Sequence, residues 1–371
     1  MKAKKILIIG PKINISNKKS YGGGSGGYTR NMHVYLSYFL FDDIRLIPVY
    51  HTIKGELNFG IFTKLFRLIF DLTNLIKKIL TNKVDGIHIL AQYRGAIIRE
   101  LFVVLIGRLN GIPILYEIKA GAFIKAYNNN GKLYQLMIDT IIKSSKVVLI
   151  EGKIYKDFIF ELYNKKAYYF PNVVPIDEIP KYIHHKFQSD ILKVLFVGFV
   201  YEGKGIKELI LGCRIFAEKN NKIELTLVGE IDPEIHMFLE NMKLPENFKI
   251  YKKGKLNHKD VLVELSKNDI YAYPTKHEGE GHNNTINEAL MHGMIVCSTN
   301  AGFISDFLNN ENSYPIPNLN PEEIGNIFLK IVNDKNLAIS KSKKGRELIL
   351  QEFNSEKAKF NLLKYYQELI D

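Results

Sequence analysis

The chain of 371 residues has only two cysteines, Cys213 and Cys297. Two cysteines are too few for a disulfide framework or a cysteine-based metal site. The opening MKAKKILIIGPK contains an apolar stretch too short for a secretory signal, so we expect the protein to reside in the reducing cytoplasm. Long apolar runs are also absent, because the nearest candidate, residues 95–109, contains three charged side chains. The sequence therefore predicts no membrane-spanning helix.

Composition and charge narrow the class of protein. Hydrophobic residues make up 46% of the chain and charged residues 24%, which excludes global disorder. Residues 1–175 carry 26 Lys and Arg against 11 Asp and Glu, a charge of +15, whereas residues 176–371 carry 25 against 28, a charge of −3. The basic half favours an anionic partner, such as a phosphorylated molecule or an anionic membrane. Basic and aromatic residues do not alternate as in nucleic-acid-binding modules, so we expect no nucleic-acid partner.

Short runs of Ile, Val and Leu alternate with segments of helical period along the chain. Five runs lie in the first half (ILIIG, IRLIPVY, GIHILA, IPILYEI and KVVLIEG) and five in the second (KVLFVGFV, IELTLVGE, FKIYKKG, IYAYPT and MIVCSTN). This alternation predicts two α/β domains with doubly wound, Rossmann-like parallel sheets, over residues 1–175 and 176–371. Ligands bind at the carboxyl ends of such strands, so we expect the two domains to face a central cleft.

Two glycine-containing segments follow predicted strands. YGGGSGGYTRNMHVYL places Gly23 and Gly24, or in another register Gly26 and Gly27, before a helix, where the backbone can approach a phosphate; a flexible surface loop is the alternative. In the second half, LFVGFVYEGKGIKELI places Gly198 at a strand end. Lys204 follows in a position to reach a diphosphate, unless it is simply solvated.

The segment YAYPTKHEGEGHNNTINEALMHGMIVCSTNAG contains a pair of spaced carboxylates, Glu280 and Glu288. Glu288 lies about one turn inside a predicted helix, where a carboxylate can accept both hydroxyls of a ribose. Glu278 is an alternative first carboxylate, at a different spacing, and an acidic capped surface helix is the alternative for the whole segment. At the start of this helix we expect unpaired backbone N–H groups that suit a phosphate, at Asn283, Asn284 and Thr285.

The segment EGHNNTINEALMHGMIV resembles the E-x7-E signature of family 4 glycosyltransferases. That family comprises retaining enzymes of the GT-B fold that use nucleotide-sugar donors without a bound metal. Other segments stand before it in family order: a Gly-rich loop after the first strand, FPNVV, VGFVYEGKGI, LVGE and GKLNHKDVLVELSKNDIYAYPT. The resemblance therefore covers nearly the whole chain, strongly after Pro171 and loosely before it. It implies two Rossmann-like domains, no cofactor, and a terminal helix, about residues 355–370, that crosses back to the first domain. In that helix Phe360, Leu363, Tyr366 and Leu369 recur every three residues, which predicts one packed face.

The resemblance also implies roles for individual residues. Glu280 would contact hydroxyls of the donor sugar and, with Lys204, forms the predicted catalytic pair. Lys204 would neutralise the diphosphate of a leaving group such as UDP or GDP, and Glu288 would hold the ribose. The other donor-binding candidates are Gly23, Gly24, Gly198, Asn283, Asn284 and Thr285. Positive charge and helix N-termini can stabilise the departing diphosphate without Mg²⁺.

The acceptor site is expected in the basic first domain. The segment YEIKAGAF offers Glu117 and Lys119 as acceptor-side candidates, with a salt-bridged strand end as the alternative. The charge asymmetry and the family together favour a glycan or lipid-linked glycan acceptor. We therefore expect a role in assembly of capsule, O-antigen or exopolysaccharide at the inner face of the cytoplasmic membrane.

Residues 61–80 form an amphipathic segment, GIFTKLFRLIFDLTNLIKKIL with its preceding glycine. We expect a helix whose apolar face covers the first sheet. The alternative is a surface helix docked on anionic lipid, with Lys77 and Lys78 at the headgroups.

Two other functions remain open. A nucleotide-sugar epimerase of the same fold would need its own acid and base carboxylates. A catalytically silent membrane or partner-binding subunit is suggested by Phe199, which stands where the family often has an arginine.

Overall fold

A computed structural model describes residues 3–13, 26–52, 62–92, 94–183 and 186–371. Contacts divide the chain into two units. Unit 1 is built from the first strand, Tyr28–Asn172 and Ser355–Asp371, and unit 2 from Val173–Asn354. The predicted Gly23, Gly24 and the neighbouring glycine-rich loop before residue 26 lie outside the described residues.

Unit 1 is organised around a parallel sheet of six strands in the order β2-β1-β3-β4-β5-β6. Its central strands are continuous apolar runs because helices cover both faces; Ile6, Leu7 and Ile8 are fully buried. The strands are β1 Lys4–Pro11, β2 Ile44–His51, β3 Gly86–Ala91, β4 Ile114–Ile118, β5 Val147–Ile150 and β6 Ala167–Tyr169. The helices between them are α1 Gly26–Tyr38, α2 Thr63–Thr81, α3 Ile97–Leu109, α4 Phe123–Asn129, α5 Gly131–Ser144 and α6 Ile154–Tyr163.

Unit 2 repeats this architecture with a second parallel sheet, ordered β12-β11-β10-β7-β8-β9. Its strands are β7 Ile191–Val197, β8 Lys222–Val228, β9 Phe248–Gly254, β10 Ile270–Tyr273, β11 Ile295–Ser298 and β12 Tyr314–Pro315. Its helices are α7 Ile206–Glu218, α8 Pro233–Glu240, α9 His258–Lys267, α10 Asn284–Met291, α11 Pro321–Asn333 and α12 Lys335–Gln351. The predicted pair of doubly wound α/β sheets is confirmed.

The terminal helix α13, Ser355–Ile370, belongs to unit 1, as the resemblance predicts. The Tyr366 hydroxyl lies 2.8 Å from Nδ1 of His88 on β3, which ties the helix to the first sheet. The predicted interval of three is wrong for Phe360, which is exposed. The buried stripe instead follows the 3.6-residue period, through Ala358, Leu362, Tyr366 and Leu369.

Helix α2 forms where the amphipathic segment predicts it, but its orientation is not the expected one. Only Asp71 and Leu75 are buried along it. The prediction that its apolar face packs on the sheet is wrong for Phe66, Ile69 and Ile76, which are exposed. Among the described helices, none combines the length and apolar character needed to cross a membrane.

Candidate functional site

The candidate residues of unit 2 gather at the switch point of its sheet. In a doubly wound sheet, connections leave in opposite directions from two adjacent strands, here β7 and β10, and ligands bind at their carboxyl ends. Lys204 lies in a short 3₁₀ turn, Glu202–Lys204, after β7, and Glu280 lies in the loop after β10. The topology therefore brings together residues that are 76 positions apart in sequence.

Lys204 and Glu280 are in direct contact. The Lys204 Nζ lies 2.5 Å from Oε2 of Glu280 and donates to the Tyr273 hydroxyl at 2.6 Å. The same hydroxyl donates to Oε1 of Glu280 at 3.1 Å. Burial and the Glu280 carboxylate raise the pKa of Tyr273 well above its usual value, so this hydroxyl keeps its proton. The Lys204 ammonium, the Tyr273 phenol and the Glu280 carboxylate thus form one hydrogen-bonded cluster. The sequence motifs predicted Lys204 and Glu280 but not Tyr273.

Glu280 is held from two further directions. The Asn283 side-chain amide donates to its Oε1 at 2.9 Å. On the backbone side, the Phe303 amide donates to the Glu280 carbonyl at 3.0 Å. Gly302 has a φ of +58°, and a Cβ there would lie 2.0 Å from that carbonyl oxygen. Only glycine lets this loop approach so closely.

Helix α10 begins at a capping residue. Oδ1 of Asn283 accepts from the amides of Thr285 at 2.9 Å and Ile286 at 3.1 Å. The expectation of an unpaired N–H group is therefore wrong for Thr285. The Thr285 hydroxyl contacts the Tyr271 hydroxyl at 2.6 Å, and Oδ1 of Asn284 has no hydrogen-bond partner within the described part of the chain.

Glu288 lies within α10 and is only 2% exposed. One of its carboxylate oxygens is 3.8 Å from Nδ1 of His258, at the start of α9. The other nitrogen of that ring lies 3.0 Å from a carboxylate oxygen of Glu178. His258 thus stands between two carboxylates, an arrangement that the sequence motifs did not indicate.

The loop after β7 is shaped by glycine. The Gly198 amide donates to the Val228 carbonyl at 2.9 Å, so that amide is used within the sheet. Gly205 has a φ of +67°, and a Cβ there would lie 2.0 Å from the Pro274 carbonyl oxygen. Phe199, at the position where an arginine is common in the family, is half exposed and stacks on Tyr201 with ring centroids 5.2 Å apart.

In unit 1 the structure places Glu117 and Lys119 in a buried network. Glu117 is 0% exposed. Its carboxylate accepts from the Tyr35 hydroxyl at 2.5 Å, lies 2.9 Å from Nε2 of His88 and 3.0 Å from the Lys119 ammonium. Although burial would raise the pKa of Glu117, the charge of Lys119 and the bond from His88 hold it below its usual value. These contacts correspond to the salt-bridged strand end that the sequence left open.

The polar groups of the unit 2 cluster are the Lys204 ammonium, the Tyr273 phenol, the Asn283 amide and the Glu280 carboxylate. Throughout the residues that the structure describes, no group of three His, Cys, Asp or Glu side chains is arranged to hold a metal ion. The cluster can contribute one fixed positive charge and several hydroxyl-directed hydrogen bonds, which suits a ligand that carries both phosphate and sugar.

Part of the chain is similar in sequence to known glycosyltransferases. Residues 183–348 match the family model for glycosyl transferases group 1. The uncharacterized glycosyltransferase MJ1069 of Methanocaldococcus jannaschii is 27% identical over 244 residues, 62% of this chain and 60% of that protein. The capsular polysaccharide biosynthesis glycosyltransferase CapM of Staphylococcus aureus is 23% identical over 175 residues, 47% of this chain and 45% of CapM. The match thus spans less than two thirds of either relative.

The fold has close counterparts among solved structures. HepE (Alr3699) of Anabaena, crystallised with UDP and glucose, aligns with a TM-score of 0.71 at 13% identity, over 98% of this chain and 99% of that one. Two parallel six-stranded sheets with this likeness define the GT-B fold. The match of residues 183–348 to the glycosyl transferases group 1 model, together with this fold, confirms the predicted resemblance to GT-B glycosyltransferases.

Proposed function

We propose that this protein is a retaining glycosyltransferase that moves a sugar from a nucleotide-diphosphate donor to an acceptor hydroxyl without a bound metal. The observation that carries the proposal is the contact among Lys204, Glu280 and Tyr273 at the switch point of a sheet whose sequence matches glycosyl transferases group 1. Its cation suits a diphosphate, and its carboxylate suits sugar hydroxyls.

Each residue of the cluster has a distinct proposed role. Lys204 neutralises charge on the departing diphosphate, and Glu280 accepts hydrogen bonds from hydroxyls of the transferred sugar. Glu288 holds the ribose, with His258 fixing the position of its carboxylate. The remaining proposed donor contacts are Gly23, Gly24, Gly198, Asn283, Asn284 and Thr285. The Thr285 amide can serve a phosphate only if the Asn283 cap turns away, whereas the Thr285 hydroxyl can reorient in place.

The reaction needs no enzyme nucleophile. The bond between the anomeric carbon and the diphosphate oxygen breaks, and a bond from that carbon to the acceptor oxygen forms on the same face of the sugar. The acceptor proton passes to an oxygen of the diphosphate. Lys204 stabilises the negative charge that builds before that proton arrives. Retention is tested by NMR of the product, whose anomeric configuration must match that of the donor.

The acceptor is a glycan or lipid-linked glycan of bacterial surface polysaccharide assembly. The similarity to CapM, a capsular polysaccharide biosynthesis enzyme, supports this class of product. The basic first half of the chain, at +15, favours an acceptor that carries phosphate and a peripheral location at an anionic membrane. Lys119 and Glu117 stay acceptor-side candidates, and because both are buried they would act by shaping the site around them.

Nucleotide binding tests the proposal first. Calorimetry with UDP, GDP, ADP and CMP in the presence of EDTA should show micromolar affinity for one nucleoside diphosphate. UDP is the first choice because the HepE structure contains it. A Glu288→Ala variant should lose this binding, whereas Glu278→Ala, which alters an exposed carboxylate two residues from Glu280, should keep it. Failure of every nucleotide to bind, with or without acceptor, would contradict the proposal.

Two alternatives give different results in the same assays. An epimerase would convert the donor sugar without any acceptor, which NMR of the nucleotide sugar would detect. A silent subunit, suggested by Phe199 in place of an arginine, would show no turnover that depends on Glu280. Acceptor-dependent release of the nucleoside diphosphate, lost in Glu280→Gln, is expected only of a transferase.

A further inference from the structure

Helix α2 directs most of its large apolar side chains away from unit 1. Its anchor is polar: buried Asp71 accepts from the Thr52 amide at 2.9 Å and lies 3.7 Å from an Arg99 guanidinium nitrogen. Leu75 is its only other buried residue. The outward side chains recur at helical spacing and are large and apolar: Leu65, Phe66, Ile69, Phe70, Ile76 and Leu80. Most amphipathic helices bury such a stripe against their own domain, and α2 presents it to the exterior.

Helix α3 extends this surface. The helices α2 and α3 pack against each other. Right-handed connections from β2 to β3 and from β3 to β4 run in the same direction across the sheet, which puts both helices on one face. α3 buries Val103 and Val104 and exposes Ile98 and Phe102. We call Ile98, Phe102 and the six exposed large apolar residues of α2 the apolar face. Exposed apolar residues grouped in this way mark an interaction site.

The exposed charges beside the apolar face are basic. Residues 62–83 and 97–110 contain two acidic side chains, Asp71 and Glu100, and both are buried. The exposed charged side chains of these two stretches are Lys64, Lys77, Lys83 and Arg108. The partner of this surface must therefore tolerate positive charge at its edges and offer an apolar interior.

We propose that the apolar face is a docking surface for an anionic phospholipid bilayer. The apolar side chains enter the boundary between headgroups and acyl chains, and the flanking cations contact lipid phosphates. Helix α2 then lies in the plane of the membrane. This inference deepens the proposed peripheral location and rests on that part of the proposed function, but not on the transfer chemistry.

A bilayer fits this surface better than a second copy of the chain does. In a two-fold dimer the same residues meet across the axis, so the cations at the edges would face one another, and the described residues 62–83 and 97–110 offer no exposed acidic side chain to pair with them. An anionic bilayer supplies the apolar phase and the counter-charge together. The charge of the surface therefore selects lipid as the occupant.

Sedimentation with lipid vesicles tests the proposal on the full chain. One vesicle set contains equal amounts of phosphatidylglycerol and phosphatidylcholine, and the other only phosphatidylcholine. Phe70→Glu places a charge on the apolar face, and Phe360→Glu makes the same change on α13; the two phenylalanines are 53% and 56% exposed. We expect binding to the anionic vesicles, weakened about tenfold or more by Phe70→Glu and unchanged by Phe360→Glu.

Three results would overturn the docking surface: no binding of the wild-type chain to anionic vesicles, equal weakening by both substitutions, or a dimer lost in Phe70→Glu without any vesicle binding. The same preparations separate this inference from the proposed function. Phe70→Glu should bind UDP as the wild type does, and Glu288→Ala should still sediment with vesicles. A wild-type chain that binds UDP but not anionic vesicles therefore contradicts docking, and a wild-type chain that binds the vesicles but no nucleotide contradicts the transferase.

Discussion

Lys204 and Glu280 form an ion pair with 2.5 Å between Nζ and Oε2, although the proposed mechanism assigns them to different parts of the donor. Lys204 serves the diphosphate and Glu280 the sugar. Both side chains are largely shielded from solvent, so water screens their interaction only weakly. Because the charge of each stabilises the other, variants at these positions should show coupled effects, and a change at one should alter what the other can bind.

Glu280→Gln should separate sugar handling from diphosphate binding. Removing the negative charge leaves Lys204 without its carboxylate partner, so affinity for the nucleoside diphosphate should stay equal or increase. The transfer rate should fall by about a hundredfold or more, because the neutral amide of the variant binds the sugar hydroxyls less strongly in the transition state than the carboxylate does. Calorimetry and product release measure the two quantities. Glu278→Gln is the control, and a larger loss there would make Glu278 the first carboxylate of the motif.

Gly302→Ala should disturb Glu280 through the backbone. The new Cβ would lie 2.0 Å from the Glu280 carbonyl oxygen, so that loop must move. Gly254→Ala is a matched control, since its φ of +64° is similar and nothing lies within 4 Å of the new Cβ. We expect a cost of about 1 kcal/mol for Gly254→Ala from the left-handed backbone alone and about 2 kcal/mol or more for Gly302→Ala. Urea unfolding measures both, and equal costs would contradict a close approach at Gly302.

Ten of the twelve described strands were predictable from the sequence, and the two shortest, β6 and β12, were not. Continuous Ile, Val and Leu runs have few other places in a globular protein than a sheet covered on both faces, so β1 and β7 are visible in the sequence. β6 and β12 have three and two residues, too few for any pattern. The pattern of α2 predicts an apolar face but does not say whether that face meets the protein or another apolar phase, which is why its orientation was predicted wrongly.

The candidate site was only partly predictable for a different reason. Glu280, Lys204 and Glu288 lie in local motifs whose spacing can be compared with a family. Tyr273 reaches Lys204 from 69 positions away, and only the pairing of β10 with β7 makes the two adjacent. His258 meets Glu288 in the same way, through packing of α9 near α10. A tyrosine at the end of a buried strand is a weak signal on its own, because most such residues are core.

Tyr273→Phe should lower transfer and leave the fold intact. The hydroxyl bonds both Lys204 and Glu280, and phenylalanine keeps the ring while removing those two contacts. Loss of these two hydrogen bonds with charged groups predicts a transfer rate lower by about tenfold or more. Tyr314→Phe is the control, since it removes the hydroxyl of another buried tyrosine of unit 2, one without a hydrogen-bond partner among the described residues. Similar rates for the two variants would exclude Tyr273 from the site.

Glu100 should make unit 1 less stable as pH rises. Burial raises the pKa of this carboxyl from 4.5 to about 7, although it accepts from the Gln92 amide at 2.8 Å and the Tyr116 hydroxyl at 2.6 Å. Because the folded-state pKa is the higher one, the stabilisation from this group is complete below 4.5 and is lost as pH rises through about 7.

Glu100→Gln removes this titration while keeping a side chain of the same size. The difference in unfolding free energy between the variant and the wild type should therefore shift in favour of the variant by about 3 kcal/mol between about pH 4.5 and about pH 8.5. Urea unfolding at both pH values measures the shift. Glu161→Gln, an exposed carboxylate on α6, controls for removal of one charge from the same unit. A difference that stays constant with pH in Glu100→Gln would mean that Glu100 titrates alike in the folded and unfolded chains.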